Sequence, residues 1–291
     1  MANSKELAES VTALVIKQLE EGTIPWRKPW NVNGLVPTSL QSGKPYRGIN
    51  HLILSIMMQM HGYERNLWVT YKQAQALGGN VSKGQKGTEV ILWKPLEVKD
   101  PLDPDAKKKV LMMKSFHVWN VAQCENLTIP EKFLPNGEWT GTTAESVFAG
   151  YVNGPSLSHT PQARAFYSPA LDAINLPPKE AFANESDYAE TLFHEMTHST
   201  GHESRLNRFT DKEQPSHFGT DPYAREELVA EIGAMMLLSH AGLTVDHANS
   251  AAYIKSWINV LNNDHNLIIQ ASQRASKAVD MILGTTKEEV E

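Results

Sequence analysis

The chain is poor in cysteine. Cys124 is the single one among 291 residues, so no internal disulfide can form and a reducing cytoplasm is the expected setting. Cys124 itself reads as a small buried hydrophobe. Long apolar runs are also lacking. No stretch approaches the ~18 consecutive apolar residues of a membrane helix, so no membrane partner is expected. The opening Met1-Ala2-Asn3-Ser4-Lys5-Glu6 lacks the basic start and apolar core of a secretory signal. No internal repeat at solenoid periods is visible. What charge there is divides unevenly. Residues 1–130 hold 16 lysines and arginines against 11 acidic residues, a net of +5. The remainder holds 11 against 22, a net of −11. A basic half joined to an acidic half suggests two tasks, with the basic half the candidate for a polyanion.

Periodicity supports an α+β chain. Leu7, Val11, Leu14, Val15 and Leu19 form a helical stripe over 4–20, with Ser4 to cap it and Gly22 to end it. Residues 49–60 read as a buried helix. Leu67–Thr70 reads as a short strand, and Thr70 caps a helix around Lys72–Leu77. Val81–Gly87 reads as a turn. Glu89–Trp93 and Lys114–Val121 read as strands around a polar 100–109 loop. These elements make a small α+β N-terminal domain, 1–124. The segment 125–144, with Pro130, Pro135, Gly137 and Gly141, reads as a linker. The rest, 145–291, reads as a mainly helical domain with a small sheet. Its expected elements are a helix from Ala144, strands at Ala165–Tyr167 and Ala173–Leu176, an amphipathic helix at Glu185–Thr200, a loop over 203–220, and a helix opened by Asp221-Pro222. One long helix or two fill 246–282.

The helix at Glu185–Thr200 carries His194-Glu195-Met196-Thr197-His198. Histidines at i and i+4 share one helix face, so both imidazoles reach one cation. Zinc takes neutral imidazole nitrogens and keeps a position open for water in catalytic sites. A metal of this kind lowers the pKa of its water to about 7, and Glu195 stands beside that water as general base. HExxH on a helix is the zincin motif, and zinc is the expected cofactor, with another divalent transition metal as the alternative. The metzincin branch needs a third His where this chain has Ser204, and His202 is displaced by two residues. The gluzincin branch takes a Glu from the next helix, which points to Glu227, with Glu231 as the alternative third ligand or as support for a histidine. Glu226 points about 100° round that helix; it reads as solvated or paired with Arg225. Tyr223, Tyr188, His202 and His217 all qualify as donors to a developing oxyanion.

The N-terminal half interleaves aromatic and basic residues. Trp26, Arg27, Lys28 and Trp30 stand together, followed by Tyr46 with Arg47, Tyr71 with Lys72, and Lys83 and Lys86 in a glycine-bearing turn. Sequence-tolerant binding of single strands uses this mixture: aromatic faces stack bases and cations follow phosphates. Core packing is the plain alternative for any one tryptophan. The set with its basic neighbours is read as a single-stranded DNA surface.

The segments TIPWRKPW, GKPYRGIN, WVTYKQAQALGGNVSKGQKGTEV, YSPALDAINLP, LFHEMTHSTGHESRLNR and YAREELVAEIGAMML run nearly the whole chain. In this order they resemble the ArdC-type antirestriction proteins of conjugative plasmids. The resemblance implies an N-terminal single-stranded-DNA-binding domain and a C-terminal zincin-like metallopeptidase domain. It also implies protection of incoming plasmid DNA from host restriction during conjugation. By motif it carries His194 and His198 over as metal ligands and Glu195 as general base; Glu227 comes from the gluzincin pattern. Three readings follow. The chain binds single-stranded DNA and cleaves an unidentified protein or peptide, or it protects DNA with an idle peptidase site, or it is a plain metallopeptidase with a protein-binding N-terminal half.

Overall fold

The computed structural model describes residues 4–25, 36–99, 107–133, 142–162, 164–209, 221–243 and 251–285. The N-terminal part opens with α1 (Ser4–Glu20), followed by β1 (Thr38–Ser39), α2 (Ile49–His61), β2 (Leu67–Val69) and α3 (Tyr71–Ala76). Then come β3 (Asn80–Val81), the hairpin β4 (Thr88–Lys99) and β5 (Lys107–Asn120), and β6 (Cys124–Glu125). The main sheet has the order β1-β2-β5-β4, with β1 parallel to β2 and the other pairs antiparallel. Strands β3 and β6 form a separate pair. Thr70 caps α3 as expected, in a reciprocal box with Gln73. The hairpin arms run longer than the apolar patches alone suggest, from Thr88 opposite Val118 to Lys99 opposite Lys107. Asn50 of α2 attaches to the outer strand: its side chain donates to Ile91 O at 2.6 Å and accepts from Ile91 N at 2.7 Å.

The C-terminal part holds α4 (Ala144–Gly150) and the strands β7 (Ser156–His159), β8 (Phe166–Ser168) and β9 (Ala173–Leu176). These order as β7-β9-β8, with β7 parallel and β8 antiparallel to β9. Four long helices follow: α5 (Glu185–Ser199), α6 (Asp221–Ala241), α7 (Ala251–Asn263) and α8 (Leu267–Leu283). The architecture is α+β, and the 246–282 region holds two helices. No described helix is long and apolar enough to cross a membrane.

The two parts share a core. One buried cluster joins Val15 and Leu19 of α1 and Leu52 and Ile56 of α2 to Leu228 and Ile232 of α6, Trp257 and Leu261 of α7, and Ile268 of α8. A second cluster packs Leu192, Phe193 and Met196 of α5 against Ile174 and Leu176 of β9 and Leu237 of α6. Polar contacts reinforce the junction: Thr12 donates to His265 O at 2.7 Å, and the Gly48 N–H donates to Ser276 Oγ at 2.7 Å. Gly48 leads into α2 at φ 54, a left-handed conformation in which a side chain is strained. Cys124 is half-buried beside Leu77 and Val121, and burial raises its thiol pKa.

Because α1 packs onto α7 and α8, the shared core makes the halves unfold together. Leu19→Ala is expected to cost about 2–5 kcal/mol. Far-UV circular dichroism and the metal-loaded signal of the C-terminal part should then shift to lower temperature in step. A transition confined to the N-terminal half would contradict the shared core.

Candidate functional site

Helix α5 is built to present two histidines. Asn184 caps it by accepting from Asp187 N at 3.0 Å, and Glu185 and Asp187 place negative charge in the first turn. Ala189, Leu192, Phe193 and Met196 are buried, so this face fixes the helix's rotation and leaves His194 and His198 directed at α6. The two helices approach very closely at one point. A Cβ on Gly233 would lie 2.5 Å from Thr197 Cγ2, closer than carbon atoms can come. Glycine at this position therefore sets the helix separation.

The closeness brings three side chains of metal-ligating types together. His194 Nε2 and His198 Nε2 lie 3.0 Å apart. Glu227 on α6 faces both, with Oε2 at 3.6 Å from His194 Nε2 and Oε1 at 3.3 Å from His198 Nε2. Among the described residues these three form the group able to hold a metal ion, with one donor atom from each within 4.8 Å of the others. Two imidazoles and a carboxylate suit zinc and neighbouring divalent transition metals. Behind the histidines stand further carboxylates. Glu231 Oε1 is 3.7 Å from His194 Nδ1, so Glu231 sits on the far side of the ring from Glu227. Glu226 Oε1 is 3.3 Å from His198 Nδ1. Glu195 is buried on the same helix and close enough to raise the basicity of His198.

Glu226 is neither solvated nor paired with Arg225, as the sequence suggested. It is buried, and Arg208 forks onto it, with Nη2 at 2.7 Å from Oε1 and Nε at 3.2 Å from Oε2. Arg225 pairs with Asp264 at 3.1 Å instead. Arg208 also donates to Thr197 O at 2.9 Å and to Thr200 Oγ1, capping the end of α5. It arrives there because the chain after α5 doubles back, with Leu206 N donating to Thr200 O and Arg208 N to Gly201 O, each at 2.9 Å. Phe209 packs on Gly201, where a Cβ would meet the ring at 2.4 Å. Arg205 ties the same turn to β8 through Tyr167, to the β8–β9 connection through Asp172, and to the helix end through Ser199 O at 2.8 Å.

Charges in this cluster support one another. Burial alone depresses both imidazoles, but Glu227 outweighs it for His194, and Glu226 with Glu227 raises His198 well above its usual value. Burial pushes the carboxyls of Glu226 and Glu227 up, yet Arg208 and the histidines hold both below the usual carboxylate range.

The four candidate oxyanion donors separate. Tyr188 is buried in the core of the C-terminal part, stacked on His159. His202 bonds Ser204 in a surface turn, at 2.8 Å. His217 lies outside the described residues. Tyr223 stands one helical turn before Glu227 on α6, half-buried.

The aromatic and basic residues of the N-terminal part do not form one set. Trp26, Arg27, Lys28 and Trp30 lie outside the described residues. Tyr71 is exposed and meets the half-buried Trp119 edge-on, with centroids 6.2 Å apart. Trp119 lies over Gly87 and donates to Gln85 O at 3.4 Å, which places the turn of Lys83 and Lys86 beside it. Lys72, Lys83 and Lys86 are exposed. Tyr46 and Arg47 go elsewhere. Tyr46 packs against Leu54, Met58 and Trp68, and burial pushes its hydroxyl up to about 12. Arg47 forms an ion pair with Asp280 of α8. Trp68 is fully buried and donates to Asn66 Oδ1 at 2.6 Å, so it is a core residue.

Family models and solved structures match the chain over most of its length. A zincin-like metallopeptidase family model matches residues 143–274, and a model of the N-terminal domain of the anti-restriction factor ArdC matches residues 5–119. A metal-free crystal structure of the antirestriction protein ArdC from plasmid R388 superposes with TM-score 0.78 at 37% identity, covering 95% of this chain and 96% of that one. The chain belongs to the ArdC antirestriction family. A second crystal structure of the R388 protein, with Mn(II) bound, matches at TM-score 0.77 and 36% identity, over 96% of this chain and 97% of that one. Two Escherichia coli proteins called DNA primase TraC are each 35% identical over nearly the whole chain. The chain spans only 28% and 21% of their lengths. The uncharacterized protein y4eC of Sinorhizobium fredii is 31% identical, over 94% of this chain and 91% of its own. A zincin-like domain implies a divalent metal, and the His194–His198–Glu227 donor set fits one.

Two measurements test the cluster. Arg208→Met should weaken divalent-metal binding about 10–100-fold, the usual cost of losing a group that orients a ligand, with Arg208→Lys in between; equal affinity in all three proteins would contradict the arrangement. Glu226 and Glu227 raise the His198 pKa well above its ordinary value in the metal-free protein, so a metal competes with a proton for this imidazole up to higher pH than for a free one. Calorimetry in buffers of differing ionisation enthalpy should therefore show proton release on metal binding. Affinity should fall as pH is lowered. Absence of proton release would contradict the stated direction.

Proposed function

We propose that the chain is an antirestriction protein that binds single-stranded DNA through its N-terminal domain, 1–124. In this reading a linker, 125–144, leads to a metal-dependent peptidase domain, 145–291, and the whole protects incoming plasmid DNA in the cytoplasm during conjugation. The supporting observation is the pairing, on one chain of the ArdC family, of a His–His–Glu donor set with an exposed Tyr71 against the half-buried Trp119, in a part of the chain that also exposes Lys72, Lys83 and Lys86. Exposed aromatic faces stack bases of any sequence, and lysines beside them follow the phosphates.

At the metal centre His194, His198 and Glu227 hold the cation, proposed to be Zn2+ with Mn2+ as the nearest substitute. When bound, the cation supplies Lewis acidity toward a water and a peptide carbonyl. Glu195 takes the proton from the attacking water and returns it to the departing amine, so the residue ends as it began. Glu231 and Glu226 orient the two imidazoles, and Arg208 keeps Glu226 ionised. Tyr223 is the proposed donor to the developing oxyanion. Substrates are unfolded or extended protein segments in this reading.

Glu195→Gln separates protection from proteolysis. It should lower peptide cleavage by about 10²–10⁴-fold while leaving DNA affinity and metal content unchanged. Full restriction protection by this variant would show that DNA cover suffices and the peptidase is idle. Tyr71→Ala and Trp119→Ala should each weaken salt-sensitive binding to a single-stranded oligonucleotide about tenfold or more. Unchanged affinity in both would sink the DNA reading.

A further inference from the structure

The exposed 82–87 turn, which carries Lys83 and Lys86, is held by one buried side chain. Gln123 is 5% exposed and lies in the short helical turn that follows β5. It grips the 82–87 turn at both ends. Its main-chain carbonyl accepts from Ser82 N at 2.9 Å, and its Nε2 donates to Lys86 O at 2.9 Å. The same Nε2 donates to Gln85 Oε1 at 3.1 Å. Its Oε1 accepts from Asn120 N at 2.9 Å. That bond fixes which way the amide points, because a flip would set a donor against the Asn120 N–H and an acceptor against the Lys86 carbonyl. Asn120 is itself tied to Arg65 O at 2.8 Å.

The turn meets Trp119 on both sides of Lys86. Gln85 O accepts from the indole Nε1 at 3.4 Å. Gly87 lies so close that a Cβ there would come within 2.8 Å of the ring and 3.0 Å of His117 Cβ. The Lys86 backbone is therefore fixed beside the indole, while its side chain is exposed. Among the described residues neither Lys83 nor Lys86 has a carboxylate partner. Arg47, by contrast, is paired with Asp280. A lysine on a loose turn loses conformational freedom when it takes an anion. One whose backbone is already fixed loses less and binds more tightly.

We propose that Gln123 is a positioning residue for single-stranded DNA: by holding Lys86 O it keeps Lys86 beside the Trp119 ring, where the lysine takes the phosphate next to the base on that ring. The proposal rests on the reading that the chain binds single strands through Tyr71 and Trp119. Lys83 sits at the other end of the turn, which the Gln123 main chain holds. Removing the Gln123 side chain therefore releases Lys86 and leaves Lys83 in place. Phosphate contact and stacking leave different signatures. Each phosphate neutralised on a single strand steepens the fall of log K with log salt by ~0.7, through counterion release. A stacked ring neutralises no phosphate, so it changes affinity and not that slope.

The test measures binding of the full chain to a fluorescein-labelled oligothymidine across a salt series. Lys86→Ala should make the slope shallower by ~0.7 and weaken binding about fivefold at roughly 0.1 M salt, the electrostatic share of one phosphate. Gln123→Met should do the same, although it removes no charge. The two together should cost no more than either alone, because both act on one contact. Tyr71→Ala should weaken binding at an unchanged slope. A wild-type slope in Gln123→Met, or a loss that adds to that of Lys86→Ala, overturns the positioning role. So does a wild-type slope in Lys86→Ala. In each of these cases weakened binding by Tyr71→Ala leaves the DNA reading standing. If wild type binds no strand, both fail. Should Gln123→Met not fold, Gly87→Ala decides in its place. Its added carbon displaces the turn from the indole, so it should show the same shallower slope, and a wild-type slope would overturn the proposal.

Discussion

At Gly233 a single hydrogen stands where any other residue would drive a carbon atom to 2.5 Å from Thr197 Cγ2. That contact fixes how closely α5 and α6 approach. The approach in turn sets whether Glu227 can face both imidazoles at once. It does, at 3.3 and 3.6 Å. A wider crossing would leave a histidine pair on one helix and an unrelated acidic helix beside it. The same closeness buries Glu226, Glu227 and Glu231 against the histidines. These charges are costly to bury singly and are tolerated because each carboxylate finds an imidazole or guanidinium.

Arg208 closes that electrostatic arrangement. It pairs with both oxygens of Glu226, sharing Oε1 with His198 Nδ1, and donates to Thr197 O near the end of α5. The turn that delivers it is itself pinned by Arg205 to Asp172, which sits at φ 45 in the β8–β9 connection. The small sheet therefore positions the metal helix through this turn as well as through the packing of Ile174 and Leu176. On the other side α6 and α8 carry the core shared with α1 and α2, so the N-terminal and C-terminal parts are held together by packing.

Much of this was legible in sequence where the signal is local. The helices α1, α2 and α5 follow apolar periodicity, and Asn184 caps α5; Ser4, expected to cap α1, is instead its first residue. The expectation of Glu227 as third ligand followed from its spacing with Glu231, because residues one turn apart share a face, and the structure sets Glu227 beside both histidines. Glu226 was misread for the same reason in reverse: it lies off that face, yet His198 sits a turn beyond His194 and turns its Nδ1 toward it. Arg208 carried no signal, since its partner lies on another helix after a loop. Strand β7 was missed because Ser156–His159 is short, polar and paired with a strand 17 residues on. Tyr46 and Arg47 looked like Tyr71 and Lys72 in sequence. Only the fold distinguishes them, by setting Asp280 beside Arg47.

The measurement that bears most directly on this account is anomalous scattering from crystals grown with Zn2+ or Mn2+, collected on both sides of each metal's absorption edge. The account predicts one strong peak per chain, bound by Nε2 of His194, Nε2 of His198 and a carboxylate oxygen of Glu227, with Glu231 and Glu226 behind the rings. A peak bound by Glu231 in place of Glu227, or no peak between α5 and α6, would contradict it.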